Sequence, residues 1–220
     1  TPINMTTNDA KRNIYKYYAA HIASGASFIV PITILYYLSF GLSYFEIATL
    51  ESIFLLTALI FEIPTGYFAD RFGRKYASSL GAMTVACGTL TIGLGSIFFI
   101  FTIGQIMFGV GAALRSGADV ALLYDSLQET ELTNLYTKIE GRSFALFSLF
   151  GALAAPLGAY VFITNHRLPF IIDSILLLSA SIAYGLMTES RVYKINNEDD
   201  KKKNSFFMSF PFLYLPYHFP

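Results

Sequence analysis

Cysteine is almost missing from this sequence: Cys87 is the only one in 220 residues. No intramolecular disulfide can form, and thiolate metal clusters or dithiol redox chemistry are excluded. Cys87 lies inside an apolar run, where a small packing residue is expected. Histidine is as scarce, and His21, His166 and His218 fall in different segments without metal-ligand spacing, so no metal is expected. No Gly-x-x-x-x-Gly-Lys-Ser/Thr loop is present to cradle a nucleotide, and no Gly-x-Ser-x-Gly elbow to carry a nucleophile. Catalytic residues, cofactors and enzyme activity are therefore not expected. Charged residues make up only 14% of the chain, 15 basic against 15 acidic, so the balance gives no footprint for a nucleic-acid partner.

Apolar residues fill the space that charge leaves. The chain is 54% hydrophobic, with 21 Phe and 15 Tyr, and its mean hydropathy is +0.51. That composition is the composition of an integral membrane protein, whose solvent partner is the lipid bilayer. A helix needs about 20 mainly apolar residues to cross a hydrocarbon core of about 30 Å. Six stretches satisfy this, at roughly 18 to 40, 46 to 68, 76 to 95, 98 to 122, 143 to 163 and 169 to 188. The expected fold is all-α, and membrane strands are excluded because the runs far exceed the alternating segments of about ten residues that a β-barrel uses. Residues 1 to 190 are expected to form this six-helix unit. Residues 191 to 205, with Lys201-Lys202-Lys203 after an acidic cluster, read as a charged linker, and 206 to 220 as an apolar, proline-interrupted tail where a seventh span would start. Met5 reads as a start, and no cleavage site follows the first apolar stretch, which is expected to remain as an anchor.

Lysine and arginine in short loops stay on the cytoplasmic side. With six spans, Lys11, Arg12, Lys16, Arg71, Arg74, Lys75, Lys138, Arg142, Arg191, Lys194 and Lys201 to Lys203 all fall on one face, and Arg167 alone on the other, with Arg115 inside a span. Both termini are thus expected in the cytoplasm of a cell whose inner (plasma) membrane holds the chain. The decapeptide Gly66-Tyr67-Phe68-Ala69-Asp70-Arg71-Phe72-Gly73-Arg74-Lys75 is too charged for hydrocarbon and is expected to be a short cytoplasmic loop between spans two and three.

Gly-x-x-x-Asp-Arg-x-Gly-Arg-Lys in that position resembles the signature of the major facilitator superfamily, matched by Gly66, Asp70, Arg71, Gly73, Arg74 and Lys75. Glu62-Ile63-Pro64-Thr65 and the stretch from Arg115-Ser116-Gly117-Ala118-Asp119 to Tyr124-Asp125-Ser126-Leu127 resemble its bacterial drug- and multidrug-transporter branch. The likeness covers about residues 13 to 190. It implies one half of a twelve-span transporter, built of two inverted three-helix repeats, with a small-molecule substrate held between halves. The chain resembles the amino-terminal half; the expectation is a truncated frame whose carboxy-terminal half is missing, the alternative being pairing of two copies. Function is then secondary transport by alternating access, with proton-coupled efflux of amphipathic compounds ahead of nutrient or sugar import, and ahead of a non-transporting remnant.

The resemblance implies a conformational gate at Gly66, Asp70, Arg71, Gly73 and Arg74, with Asp125 as the acidic partner at the end of span four; the alternative is that these cations only fix topology. Arg115 and Asp119 stand four apart on one helical face inside a span, where an unpaired charge costs roughly 2.5 to 3.5 kcal/mol, so they are expected to pair. They read either as substrate or proton-pathway residues, or as a structural ion pair. Glu62 and Asp173 read as titrating carboxylates or as residues reaching the polar boundary. Gly151 to Ala159 resembles a loosened span-five antiporter motif in which Pro156 bends the helix. Gln105 occupies the place where the family usually has a proton-coupling arginine, unless Arg115 serves instead. Tyr36, Tyr37 and Phe40 read as substrate-side or interfacial aromatics.

Overall fold

A computed structural model describes residues 5–190 as eight helices with no strand among the described residues. They are α1 (Thr7–Gly25), α2 (Thr33–Ser39), α3 (Tyr44–Phe72), α4 (Arg74–Leu94), α5 (Phe98–Arg115), α6 (Ala118–Glu129), α7 (Tyr136–Thr164) and α8 (Leu168–Gly185), with one 3-10 turn at Thr133–Leu135. Among the described residues, five stretches are long and apolar enough to cross a membrane: α3, α4, α5 with α6, α7 preceded by its 3-10 turn, and α8. The linker and tail expected at 191 to 205 and 206 to 220 lie outside the described residues.

Two helix starts follow directly from sequence. Thr6 accepts a hydrogen bond from the Asp9 amide while the Asp9 carboxylate accepts from the Thr6 amide, and Ser43 and Glu46 repeat the arrangement at the head of α3. Each pair satisfies two amides that the first turn of a helix leaves without internal partners.

The first expected span is different from its sequence reading. In place of one helix over 18 to 40, the chain forms α1, beginning eleven residues earlier at Thr7, then a non-helical stretch from Ala26 to Ile32, then the short α2. Asp173 of α8 fills the break: its carboxylate accepts from the Phe28 amide at 2.8 Å, the Ser27 hydroxyl at 2.8 Å and the Ile29 amide at 3.4 Å. A non-helical backbone among apolar surroundings survives where protein groups satisfy it.

The decapeptide is also corrected. Gly66 to Phe72 are the last turns of α3 and Arg74 and Lys75 the first of α4, leaving Gly73 (φ +116°) as the only residue between them. Charge excludes these residues from hydrocarbon but not from a helix: 29 residues at 1.5 Å each make α3 about 43 Å long, more than the apolar core requires.

Packing follows the small residues. Antiparallel α4 and α5 cross with Gly88 against Gly104 and Gly81 against Gly111; a Cβ on Gly88 would lie 2.8 Å from the Gly104 carbonyl, and one on Gly111 2.7 Å from that of Gly81. Only glycine permits this approach, the means by which helices associate where lipid is as apolar as leucine. α4 also packs on α8, α3 on α5, and α1 on α7 and α8. Tyr36 and Tyr37 are fully buried core residues, with the Tyr36 hydroxyl donating to the Gly93 carbonyl at 2.8 Å and its ring against Phe170 and Phe101. Cys87, expected to pack inside, is exposed on the outer face of α4.

Candidate functional site

Two polar centres lie in this scaffold. The first is where α3 meets α4. Arg74 Nη1 donates to Asp125 Oδ2 at 2.6 Å and to the Ala121 carbonyl at 3.3 Å, tying the head of α4 to α6. Glu189, just beyond α8, places its carboxylate where a Cβ on Gly73 would sit and accepts from the Lys75 amide at 3.4 Å, so an anion covers the positive end of α4. Arg71 Nη1 donates to the Tyr67 hydroxyl at 3.2 Å and its guanidinium lies over the Phe72 ring, on the exposed side of α3 along with Asp70. Close by, the fully buried Asn13 of α1 donates to Ser126 at 2.9 Å and to the Thr188 carbonyl at 2.8 Å, and accepts from the Thr188 amide. Lys16 donates to the Leu186 carbonyl.

The second centre is a cavity of about 480 Å³ beside both helix breaks. One break is Ala26 to Ile32; the other separates α5 from α6 at Ser116 and Gly117, where Gly117 turns with φ +73°, a conformation that side chains with a Cβ rarely adopt. Ser24 and Ser27 line the cavity from the first break, Arg115 and Asp119 from the second, and Phe108 and Phe147 form apolar wall. Arg115 Nη2 stands 3.7 Å from Asp119 Oδ2, which also accepts from the Tyr184 hydroxyl at 3.3 Å and lies 4.0 Å from His21 Nε2. Asp119 Oδ1 accepts from the Val120 amide. Near His21 the Tyr17 ring stacks at 4.2 Å, and the Tyr17 hydroxyl donates to Glu140 at 2.8 Å.

The model of the Major Facilitator Superfamily matches residues 18–217. The chain belongs to that superfamily. An uncharacterized transporter of the superfamily from Methanocaldococcus jannaschii is 25% identical over 193 residues, covering 86% of this chain and 48% of the relative. Multidrug resistance protein 2 of Bacillus subtilis is 28% identical over 160 residues, 72% of this chain and 38% of the relative. The inner membrane transport protein YajR of Escherichia coli is 26% identical over 183 residues, 83% and 39%. The chain thus spans less than half the length of each of these relatives. Members of the superfamily are transporters, and this chain is a multi-pass membrane protein.

Within the superfamily fold, the residues singled out from sequence separate into three places. Asp125 and Arg74 meet, as do Arg115 and Asp119, though the latter pair bridges two helices where one was expected. Asp173 engages the first break, and Glu62 is exposed on α3. Gln105 donates to Glu51 at 3.1 Å and approaches the Tyr37 hydroxyl. Pro156 lies on the exposed side of α7, which continues helically through it. Sequence reasoning missed Asn13, His21, Tyr17, Glu140, Tyr184 and Glu189. A polar residue inside or beside an otherwise apolar span was the signal available for His21; the others are joined by contacts of large sequence separation that no local pattern carries.

Proposed function

We propose that this chain is the amino-terminal six-span half of a secondary transporter that moves small amphipathic solutes by alternating access, in the direction of efflux and in exchange for protons. The observation that carries the reading is the cavity at two broken helices, walled by aromatic rings and edged by Arg115 and Asp119. Discontinuous helices are where transporters of this architecture place substrate and coupling ions. The likeness to a multidrug resistance protein supports efflux. Six spans follow if α1 and α2 are one broken span, and the contacts support two inverted repeats. The contact of α3 with α5 has its counterpart in α7 with α1, that of α4 with α5 in α8 with α1, and α4 against α8 lies between them. Transport, not catalysis, is the activity, and no metal or cofactor takes part.

The Arg74–Asp125 bridge, with Gly66, Asp70, Arg71 and Gly73, forms the cytoplasmic gate that holds one state and releases another. Asp173 holds the first break; Glu62 faces outward on α3. The exposed apolar faces of α3 and α7 meet lipid and a carboxy-terminal half or second copy. Both ends of the half face the cytoplasm across the plasma membrane. The test is accumulation of a panel of fluorescent amphipathic dyes inside inverted vesicles carrying the complete reading frame, whose lumen stands for the cell exterior. Energised accumulation above that of empty vesicles is expected, with Arg74→Gln slowing it; parent vesicles that accumulate no dye, or an Arg74→Gln rate equal to the parent's, refute the respective claims.

A further inference from the structure

We propose that His21 takes up the coupling proton, and that its charge acts by drawing Asp119 away from Arg115. The inference rests on the transport reading and names its proton site. Three donors from three elements converge on one oxygen, Asp119 Oδ2: the Tyr184 hydroxyl of α8 at 3.3 Å, Arg115 Nη2 of α5 at 3.7 Å and His21 Nε2 of α1 at 4.0 Å. A settled charge-assisted bond has its heavy atoms at 2.7 to 2.9 Å, roughly, and none of these three is that short. The oxygen is therefore contested, and a single added charge decides between the claimants.

The atoms left over point the same way. His21 Nε2 and Arg115 Nε are both buried without a hydrogen-bond partner, a cost that native structures seldom carry without a purpose. The titratable and charged groups facing His21 are Asp119 from α6, Arg115 from α5, Glu140 from α7, Tyr184 from α8 and Tyr17 from α1 itself. While the imidazole is neutral, Asp119 serves Arg115 and Tyr184 and the pair has no net charge. Once the imidazole is a cation, it gains Asp119 and repels the Arg115 guanidinium, which lines the cavity. The cavity wall then carries one more positive charge. The positive end of an amphipathic solute is excluded, and proton entry drives solute exit from the same space. Tyr17 joins this centre to the half-buried Glu140, a carboxylate from which a proton can be delivered.

The experiment measures ethidium uptake into inverted vesicles carrying the complete reading frame, the direction equivalent to efflux from the cell, with and without an imposed pH gradient, for the parent, His21→Gln and Tyr184→Phe, after membrane levels are equalised by immunoblot. The parent responds to the gradient; His21→Gln is expected to bring the ratio of driven to undriven efflux down to about one, because no neutral amide takes up a proton in this range. Tyr184→Phe removes one claimant on Asp119 and leaves that carboxylate freer to pair with His21, so the pH midpoint of efflux is expected to move away from the parent's. A His21→Gln ratio equal to the parent's overturns the inference while leaving transport standing. If His21→Gln does not reach the membrane, the Tyr184→Phe midpoint decides, and an unmoved midpoint overturns it. Parent efflux indifferent to the gradient removes the proton site alone; a parent with no efflux removes the transport reading as well.

Discussion

Removing the Asp173 carboxylate tests whether the break between α1 and α2 is held from outside those two helices. Asp173 is 4% exposed and accepts from Ser27, Phe28 and Ile29, two of those bonds at 2.8 Å and one at 3.4 Å. Asp173→Ala strands two backbone amides and a hydroxyl where water is scarce. Hydrogen bonds to charged acceptors contribute roughly 1.5 to 3 kcal/mol in water-soluble proteins, whereas membrane interiors average nearer 0.6. Two good bonds and one weak one between those limits give about 2 to 4 kcal/mol. Asp173→Asn keeps an oxygen for the Phe28 amide and turns its amide toward the Ser27 hydroxyl, which can accept, so its cost is about 1 kcal/mol or less. For a chain of this size each kcal/mol moves the unfolding midpoint by about 2 to 4 °C, so the alanine variant is expected to unfold roughly 5 to 15 °C below the parent. The assay is thermal unfolding of detergent-purified protein. An alanine variant within about 2 °C of the parent refutes the holding role. An asparagine variant that falls as far as alanine shows that charge, and not the set of hydrogen bonds, is what the site requires.

Two further outcomes follow from the packing. Arg74→Gln is expected to destabilise by about 1 to 3 kcal/mol and Asp125→Asn by less, because the Asp125 side chain is 9% exposed and cannot reach water when stranded whereas that of Arg74 is 29% exposed; equal losses, or a double variant whose loss is the sum of the singles, would contradict a shared bridge. Gly104→Leu pushes a side chain against the Gly88 carbonyl, 3.0 Å from the first added atom, and is expected to cost about 3 kcal/mol or more by forcing α4 and α5 apart; unaltered thermal unfolding of that variant would show that the crossing has room to spare.

Span positions two to six were legible because hydropathy reports them directly, and Asp125 was legible as a partner for the decapeptide because the resemblance ties it there. The first span was not. Ala26 to Ile32 is apolar in composition, so a window over 18 to 40 averages straight through it, and the acceptor that stabilises its non-helical backbone is 145 residues away from Phe28. The polar start of α1, from Asn8 to Lys16, hid its beginning for the opposite reason: a membrane criterion discards residues that a helix outside hydrocarbon accepts readily. The decapeptide was misread as a loop by the same confusion of solvent with conformation. Cys87 reads from its apolar neighbours as a small packing residue, yet in lipid an apolar run faces outward as readily as inward, and the side chain is exposed.

The second break explains how Arg115 and Asp119 can stand inside an apolar span at all. In one continuous helix both would lie mid-segment, where neither end of the helix offers compensation. Gly117 divides the segment, so Arg115 occupies the last turn of α5 and Asp119 the first turn of α6. Each charge then sits at the helix end that favours it, the cation by the carbonyl terminus and the anion by the amide terminus, where the Val120 amide donates to it at 2.8 Å. Such placement is worth up to about 2 kcal/mol in partly buried geometry, comparable with the cost of bringing one charge into the span. The left-handed glycine is thus what makes the charges tolerable, and the same turn opens the cavity that they edge. The placement of Arg115 beside Asp119 therefore depends on a single backbone conformation before it depends on either side chain.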